Sequence, residues 1–244
     1  MYILLFFIGH WFLSLFFQTF FLHRYASHKV FSMSPFWEKT FYIFTYLFQG
    51  SSFLNPFAYA TMHRDHHAYS DTEKDPHSPH FFTDVFKMTW ATVLTFRSHV
   101  ERAQNPLLKT GGSYPQWNFI DRVGSSILSR ILFGAGYVCF YIFFASAWWM
   151  FLLLPIHFLM GPLHGAIVNW CGHKYGYSNF NNDDHSKNTS PFGFLMLGEL
   201  FQNNHHRYPN SANFAQRWFE FDPVYPVLKF FNWARIIKLR KIAN

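Results

Sequence analysis

Two long stretches of the chain carry no Lys, Arg, Asp or Glu, namely residues 1–22 and 131–173. The first suits one membrane helix, which needs about 20 apolar residues. The second is about twice that length and predicts a membrane hairpin. Its turn is expected between Ser146 and Ile156, with Trp148 and Trp149 at the far interface and Pro155 and Pro162 bending the returning helix. A third uncharged stretch, 40–62, is broken by Thr45, Gln49, Gly50, Ser51, Ser52, Asn55 and Pro56. That mixture predicts a helix lying in the interface or re-entering from it rather than a crossing. From Lys229 to Asn244, Phe230, Phe231, Trp233, Ile236, Ile237 and Leu239 alternate with Lys229, Arg235, Lys238, Arg240 and Lys241. This reads as a basic amphipathic surface helix on anionic lipid, or else as a solvated helix packed on the body. Asn105-Pro106 and Gly111-Gly112 mark Arg97–Gly124 as a long loop. The expected architecture is an all-α integral membrane protein of one domain, 1–244. It has about three transmembrane helices (1–22 and the hairpin 131–173), interfacial helices and a helical cap over 174–244.

Composition narrows the class. Hydrophobic residues make up 50% of the chain, aromatics 23% and charged residues only 14%, against about 25% charged in ordinary globular proteins. Disorder, a coiled coil and a disulfide scaffold are excluded. The net charge of +7 would suit nucleic acid, anionic lipid or a phosphorylated ligand; the apolar runs favour lipid, and no nucleic-acid partner is expected. All 20 Lys and Arg lie outside the two long apolar stretches. Basic residues mark the cytoplasmic side, so the body is expected there. Cys139 and Cys171 form no CxxC pair and are expected as free thiols in a reducing compartment. The opening MYILLFFIGH lacks a basic n-region and a cleavage site and reads as a retained anchor.

Fifteen histidines are the chemical signal, and four patterns stand out. HRYASH holds His23 and His28; HRDHH holds His63, His66 and His67; NWCGH holds Asn169 and His173; QNNHH holds Gln202, His205 and His206. Residues three and four apart share a helix face, so the last three groups can each point into one site. His23 and His28 are about 140° apart on an ideal helix and converge only if the helix ends or distorts between them. If 40–62 does not cross, these eight histidines meet at one face of the bilayer. Eight imidazoles exceed the needs of one tetrahedral zinc and suit two first-row metals with nitrogen ligands, iron above all. Asp65, Asp71, Asp75, Asp183, Asp184 and Glu199 are candidate acceptors for the far ring nitrogens. His10, His157 and His164 read as hydrogen-bonded or interfacial histidines, and His77, His80, His99 and His185 as surface groups or supports.

HRYASH, HRDHHAYSDTEKDPH, NWCGHKYG and GELFQNNHHRYPNSA, in this order, resemble the boxes of the membrane fatty acid desaturases, both acyl-CoA (stearoyl-CoA type) and bacterial acyl-lipid. The resemblance runs from about residue 10 to about residue 225. It implies a cytoplasmic cap carrying a di-iron site, one iron held by His23, His28, His63, His67 and His206 and the other by His66, His173 and His205, with Asn169 acting through a water. Box three often begins with histidine in that family; here Gln202 stands there, as an uncertain ligand. Among the acidic candidates, Asp71, Asp75 and Glu199 are the expected partners of the ligands. Relatives often have two spans before the first box and this chain has room for one, which favours three crossings plus an interfacial helix. The implied reaction is O2-dependent insertion of a cis double bond into a saturated acyl chain, on acyl-CoA or acyl-lipid, with the ninth carbon as default. Electrons would come from a cytochrome b5-like protein or a ferredoxin. Trp11, Leu15, Phe16 and Trp170 are candidates for the acyl tunnel, and Arg24, Lys29, Arg64 and Lys74 for the head group. A di-iron hydroxylase or ketolase, a metal-transporting membrane protein and an apolar scaffold with incidental histidines are the competing readings.

Overall fold

The computed structural model describes residues 1–104, 113–189 and 193–240. Helix α1, Tyr2–Phe17, passes without a break into a π-helix, Gln18–Ser27. Together they form an apolar rod of 26 residues. A short strand β1 (Phe31–Met33) leads into α2, Pro35–Gln49, whose first turn is set by Pro35 and by Ser34 accepting from the Trp37 N–H.

Helix α2 runs back along α1 on an aromatic seam: Phe41 packs 4.8 Å from Phe20, Tyr42 5.5 Å from Phe21 and Phe48 5.2 Å from Phe17. The chain then reverses through a single 3-10 turn, Gly50–Ser52. Gly50 has φ +51, and a Cβ there would lie 1.8 Å from the Tyr137 hydroxyl, so the reversal requires glycine. Helix α3, Pro56–Tyr69, is capped by Asn55, which accepts from the Ala58 N–H at 3.0 Å. It returns to where α2 began: His63 Nε2 stands 2.7 Å from His28 Nε2. Segment 40–62 thus lies within two arms of a hairpin with both ends at one place.

Helix α4 covers Val85–Gln104 and α5 Asn118–Ser125. The long loop expected over Arg97–Gly124 is corrected at both ends, because α4 continues eight residues past its expected limit; the Asn105-Pro106 and Gly111-Gly112 breaks lie outside the described residues. Helix α6, Ile127–Phe144, ends before a turn at 145–147, just inside the expected bend region. The return is a 3-10 segment Trp148–Leu153, α7 (Leu154–Phe158) and α8 (Met160–Lys174), bent by 74° at Leu159 between the two prolines. Two helices among the described residues are long and apolar enough to cross a membrane, three if the bent pair counts as one span. This is a mostly helical fold that fits an all-α membrane protein.

The C-terminal third departs from the expected helical cap. Residues 175–189 and 193–201 are turns and extended chain tied by the bridges Tyr177–Asn188 and Asn188–Phe201, followed by one short helix, α9 (Gln202–Arg207). The tail is not one amphipathic helix. Helix α10 spans Val224–Trp233 and stops, and Arg235 takes a left-handed φ of 58. Strand β2 (Ile237–Leu239) then pairs antiparallel with β1, Phe31 opposite Leu239. The apolar positions at 237 and 239 serve a two-residue strand period, with Ile237 buried against the aromatic core. Residues 241–244 lie outside the described residues.

Candidate metal centre

The π-helix solves the H-x4-H problem. Hydrogen bonding from i to i+5, with the His28 N–H on the His23 carbonyl at 3.1 Å, brings residues five apart onto one side. His23 and His28 then sit with ring centroids 5.0 Å apart. Helix α3 contributes His63, His66 and His67, α8 contributes His173, and α9 contributes His205 and His206.

These side chains form two groups, each with ligand atoms close enough to hold a metal ion: His23, His28, His63, His67 and His205, and then His66, His173 and His206. The expected assignment of the last pair is reversed here. His205 Nε2 lies 2.9 Å from both His23 Nε2 and His67 Nε2, whereas the His206 ring faces His173 at 4.9 Å and His66 at 5.0 Å. Consecutive helical residues diverge by about 100°, so a histidine doublet serves two different sites.

A carboxylate fixes four of the rings. His23 Nδ1 contacts Glu199 at 2.6 Å, His66 Nδ1 contacts Asp75 at 2.9 Å, His173 Nδ1 contacts Asp71 at 2.8 Å and His206 Nδ1 contacts Asp184 at 2.5 Å. The Nδ1–H groups of His66, His173 and His206 donate to their carboxylates, which leaves Nε2 of each as a bare lone pair, and His23 Nδ1 lies in ion-pair contact with Glu199. Nε2 of His66, His173 and His206 are buried with no hydrogen-bond partner. In the first group, the five imidazoles form a chain of four Nε2–Nε2 contacts at 2.7–3.0 Å, and their ligand atoms all lie within 4.8 Å of one another. With His23 bound through Nδ1, lone pairs meet there without enough protons to separate them. A donor set of this kind fits a cation between the rings in each group. Burial first, and then the charges of neighbouring rings, hold His28, His63, His66, His67 and His205 well below the usual imidazole pKa, so they stay neutral and able to ligate. Burial alone would raise Asp71 and Asp184, but their histidine hydrogen bonds outweigh it and hold both far below the usual carboxylate range. Glu199 is likewise held ionised by His23 and Arg24 against the pull of burial.

Arg24 is not a head-group residue. It is fully buried, with Nη2 2.7 Å from Asp222, Nη1 3.4 Å from Glu199, and its guanidinium 3.8 Å above the Phe214 ring. It ties the first box to the C-terminal segment from inside. Lys29 and Arg64 do lie together. Arg64 donates to the Ser27 carbonyl at 2.9 Å, while burial and then the Arg64 charge push Lys29 down to about 8. Lys74 is exposed and rests near the Tyr69 ring.

An internal, mainly apolar cavity between α1, α3, α4 and α8 reaches the first histidine group, with Leu15, Leu54, Met88, Phe96 and Gly165 among its walls and His23 and His63 at its head. Asn169 and Gln202 also border it. Gln202 donates to the Glu199 carbonyl at 2.7 Å. Of the four expected tunnel residues, only Leu15 lines this cavity. Trp11 donates to the Leu195 carbonyl at 3.3 Å and packs on His164, Phe16 stacks on Phe20 in the aromatic core, and Trp170 lies 3.7 Å under the Lys174 ammonium. Sequence reasoning missed His77, taken as a surface or supporting group. It is buried 4.5 Å from the His66 ring, lines the cavity and has no partner at either nitrogen. Its place in the D-P-H extension of the second box was the available signal. Asp184 was one of six acidic candidates with nothing in the sequence to single it out.

Comparison with known proteins agrees with this geometry. The family model for fatty acid desaturases matches residues 1–231. The chain is 29% identical to the sn-1 stearoyl-lipid 9-desaturase of Synechocystis sp., over 88% of this chain and 64% of that protein. It is 26% identical to the acyl-CoA 5-desaturase AL21 of Anemone leveillei, over 85% and 61%. It is 27% identical to the delta-9 acyl-lipid desaturase 2 of Arabidopsis thaliana, over 86% and 65%. The chain thus spans slightly under two thirds of the length of each of these relatives. With the model matching nearly the whole chain, this protein belongs to the fatty acid desaturase family.

Proposed function

We propose that the chain desaturates fatty acyl groups, using O2 and two irons to place a cis double bond in a saturated chain. The carrying observation is the pairing of two carboxylate-braced histidine groups with an apolar cavity that ends on one of them. One iron would be held by His23, His28, His63, His67 and His205. The other would be held by His66, His173 and His206, with Asn169 placed to act through a water. When bound, such a pair supplies the reductive activation of O2 that breaking unactivated C–H bonds demands. The protein's own residues do the rest. The cavity walls align one methylene pair and exclude bulk water. Glu199, Asp71, Asp75 and Asp184 hold the rings in the ligating tautomer.

The balance is –CH2–CH2– + O2 + 2 e⁻ + 2 H⁺ → –CH=CH– + 2 H2O. The two electrons come from an external one-electron carrier, a cytochrome b5-like protein or a ferredoxin. Relatives named for both acyl-lipid and acyl-CoA substrates support an acyl chain on either carrier, with the ninth carbon as default. Lys29 and Arg64 offer paired positive charge for a phosphate-bearing head group. The catalytic side is cytoplasmic by the distribution of Lys and Arg. Expression in a host lacking unsaturated fatty acids, with gas chromatography of its lipids, tests the reading. A new monounsaturated chain that disappears in His205→Ala is the expected result. A hydroxylated acyl product, or no product with iron bound and donor supplied, overturns it.

A further inference from the structure

Three buried histidines on the apolar helices stand apart from the candidate metal centre. His10 is 7% exposed, and His157 and His164 are 0%. Polar groups inside a bilayer are costly and mark function. The first two are joined in a chain. The Tyr141 hydroxyl is 2.9 Å from His157 Nε2, and His157 Nδ1 is 2.6 Å from His10 Nδ1. Two proton arrangements satisfy it. If the tyrosine O–H donates, His157 Nδ1–H passes to His10, which keeps its proton on Nε2. If His157 Nε2–H donates to the tyrosine oxygen, His10 gives its Nδ1 proton and Nε2 is bare. The two arrangements differ by one tautomer shift on each ring, and in the first the His10 Nε2 proton is turned toward the Phe48 backbone.

The orphaned atoms continue from there toward the metals. Ser14 Oγ, Gln18 Oε1 and both nitrogens of His164 are buried without partners. Along the first helix His10, Ser14, Gln18, His23 and His28 recur on one side, while Thr19 and Arg24 turn to Glu199 and Ser27 bonds the Leu22 carbonyl. The spacing is four within α1 and becomes five where the π-helix starts at Gln18. One side of one continuous helix therefore carries His10, Ser14 and Gln18 and then His23 and His28. Facing it, α8 carries His164, one turn from Gly161 and adjacent to Gly165, both of which border the cavity. Gln18 borders it too, beside His23. From His10 to His23 the rise is about 20 Å. A row of buried polar atoms that the protein leaves unpaired is where internal water sits.

We propose that Tyr141, His157, His10, Ser14, His164 and Gln18 line a file of internal water that conducts protons between the far end of α1 and the metal centre. The role rests on the desaturase reading, whose balance consumes two protons at a site the cavity shields from bulk solvent. The file itself does not.

The test uses the iron-loaded chain in nanodiscs, wild type, Ser14→Val and Gln18→Leu. Brief radiolytic hydroxyl labelling reads water next to buried side chains. His157 and His164 are expected to label in the wild type despite zero exposure, and to lose at least fivefold in labelling in Ser14→Val. In single turnover with chemically reduced protein, both variants should keep the wild-type iron content while product forms at least tenfold more slowly, with a solvent deuterium isotope effect larger than in the wild type. Absent labelling of His157 and His164 in the wild type overturns the file whatever the activity. Wild-type turnover rate and isotope effect in both folded variants overturn its proton role. Labelling as expected with no acyl product from the wild type leaves the file standing and removes the desaturase reading instead. Gln18→Leu, which adds no bulk, carries the comparison if Ser14→Val does not fold.

Discussion

Replacing Glu199 by Gln removes the charge that orients His23 and keeps the side chain's size. The carboxylate meets His23 Nδ1 at 2.6 Å. Arg24, its other charged neighbour, keeps Asp222 at 2.7 Å, so the substitution leaves no buried cation without a carboxylate. A lost carboxylate behind a ligating histidine costs about 10- to 100-fold in metal affinity. At about 1.4 kcal/mol per decade this is roughly 1.4–2.7 kcal/mol. On the proposed two-iron reading the loss falls on one metal of two, because Glu199 touches a ring of the group containing His205 while Asp184 braces His206 in the other. The assay is iron per chain after dialysis against a graded chelator series. Glu199→Gln should release one equivalent at a chelator concentration one to two decades lower than the wild type does, leaving the second equivalent in place. Asp184→Asn should do the same to the other equivalent, and the double variant should lose both. Retention of both irons at wild-type chelator concentrations by a folded Glu199→Gln chain would refute the argument that these carboxylates set the ligating tautomer. So would simultaneous loss of both irons from either single variant.

Two further outcomes follow from the same geometry. Gly165 borders the cavity, and a Cβ there meets nothing within 4 Å; Gly165→Leu should therefore fill free space, keep iron and shift the product profile to shorter acyl chains, read by gas chromatography, and an unchanged profile would place the acyl chain elsewhere. The metal-free chain should lose stability in acid. His28, His63, His66, His67 and His205 have folded pKa values well below 6.5, so below that pH the unfolded chain binds more protons than the folded one. Their contribution is present above about pH 6.5 and is lost as the pH falls toward the folded values. The melting temperature should drop steadily from pH 7 to pH 5; a flat or rising trend would contradict the burial of neutral rings.

Much of this was legible in the residues. The spacing of His23 and His28 required the helix to end or to distort between them, and a π-helix is what the chain adopts. The polar and helix-breaking residues of 40–62 pointed to an interfacial or re-entrant helix, and the chain is instead two helices that meet at the turn Gly50–Ser52. What stayed hidden depends on tertiary partners. Arg24 reads as a surface cation until Asp222, 198 residues on, is placed beside it. Ile237 and Leu239 fit a helical stripe as well as a strand until β1 offers an edge. Which of His205 and His206 serves which group depends on how α9 is rotated against α3 and α8, and a helix of six residues carries no periodicity that would fix it.

The α1 and π-helical rod links these parts. The spacing of His10, Ser14, Gln18, His23 and His28 changes from four to five at Gln18, where this side passes from the apolar half of the rod to the candidate metal centre. An α-helix continued through this region would advance about 100° per residue and turn His23 and His28 away from each other. The π segment prevents that, and π-helices are found mostly as short insertions at functional sites. Ten residues is long for such a segment, and the packing around it accounts for its persistence. All ten of its side chains are buried. Arg24 is clamped to Glu199 and Asp222, and the Ser27 hydroxyl donates to the Leu22 carbonyl at 2.8 Å. The energy that holds an unusual helix in register thus comes from the same buried ion pairs that brace a ligand, so the geometry of the first box and the anchoring of the C-terminal segment are one structural problem rather than two.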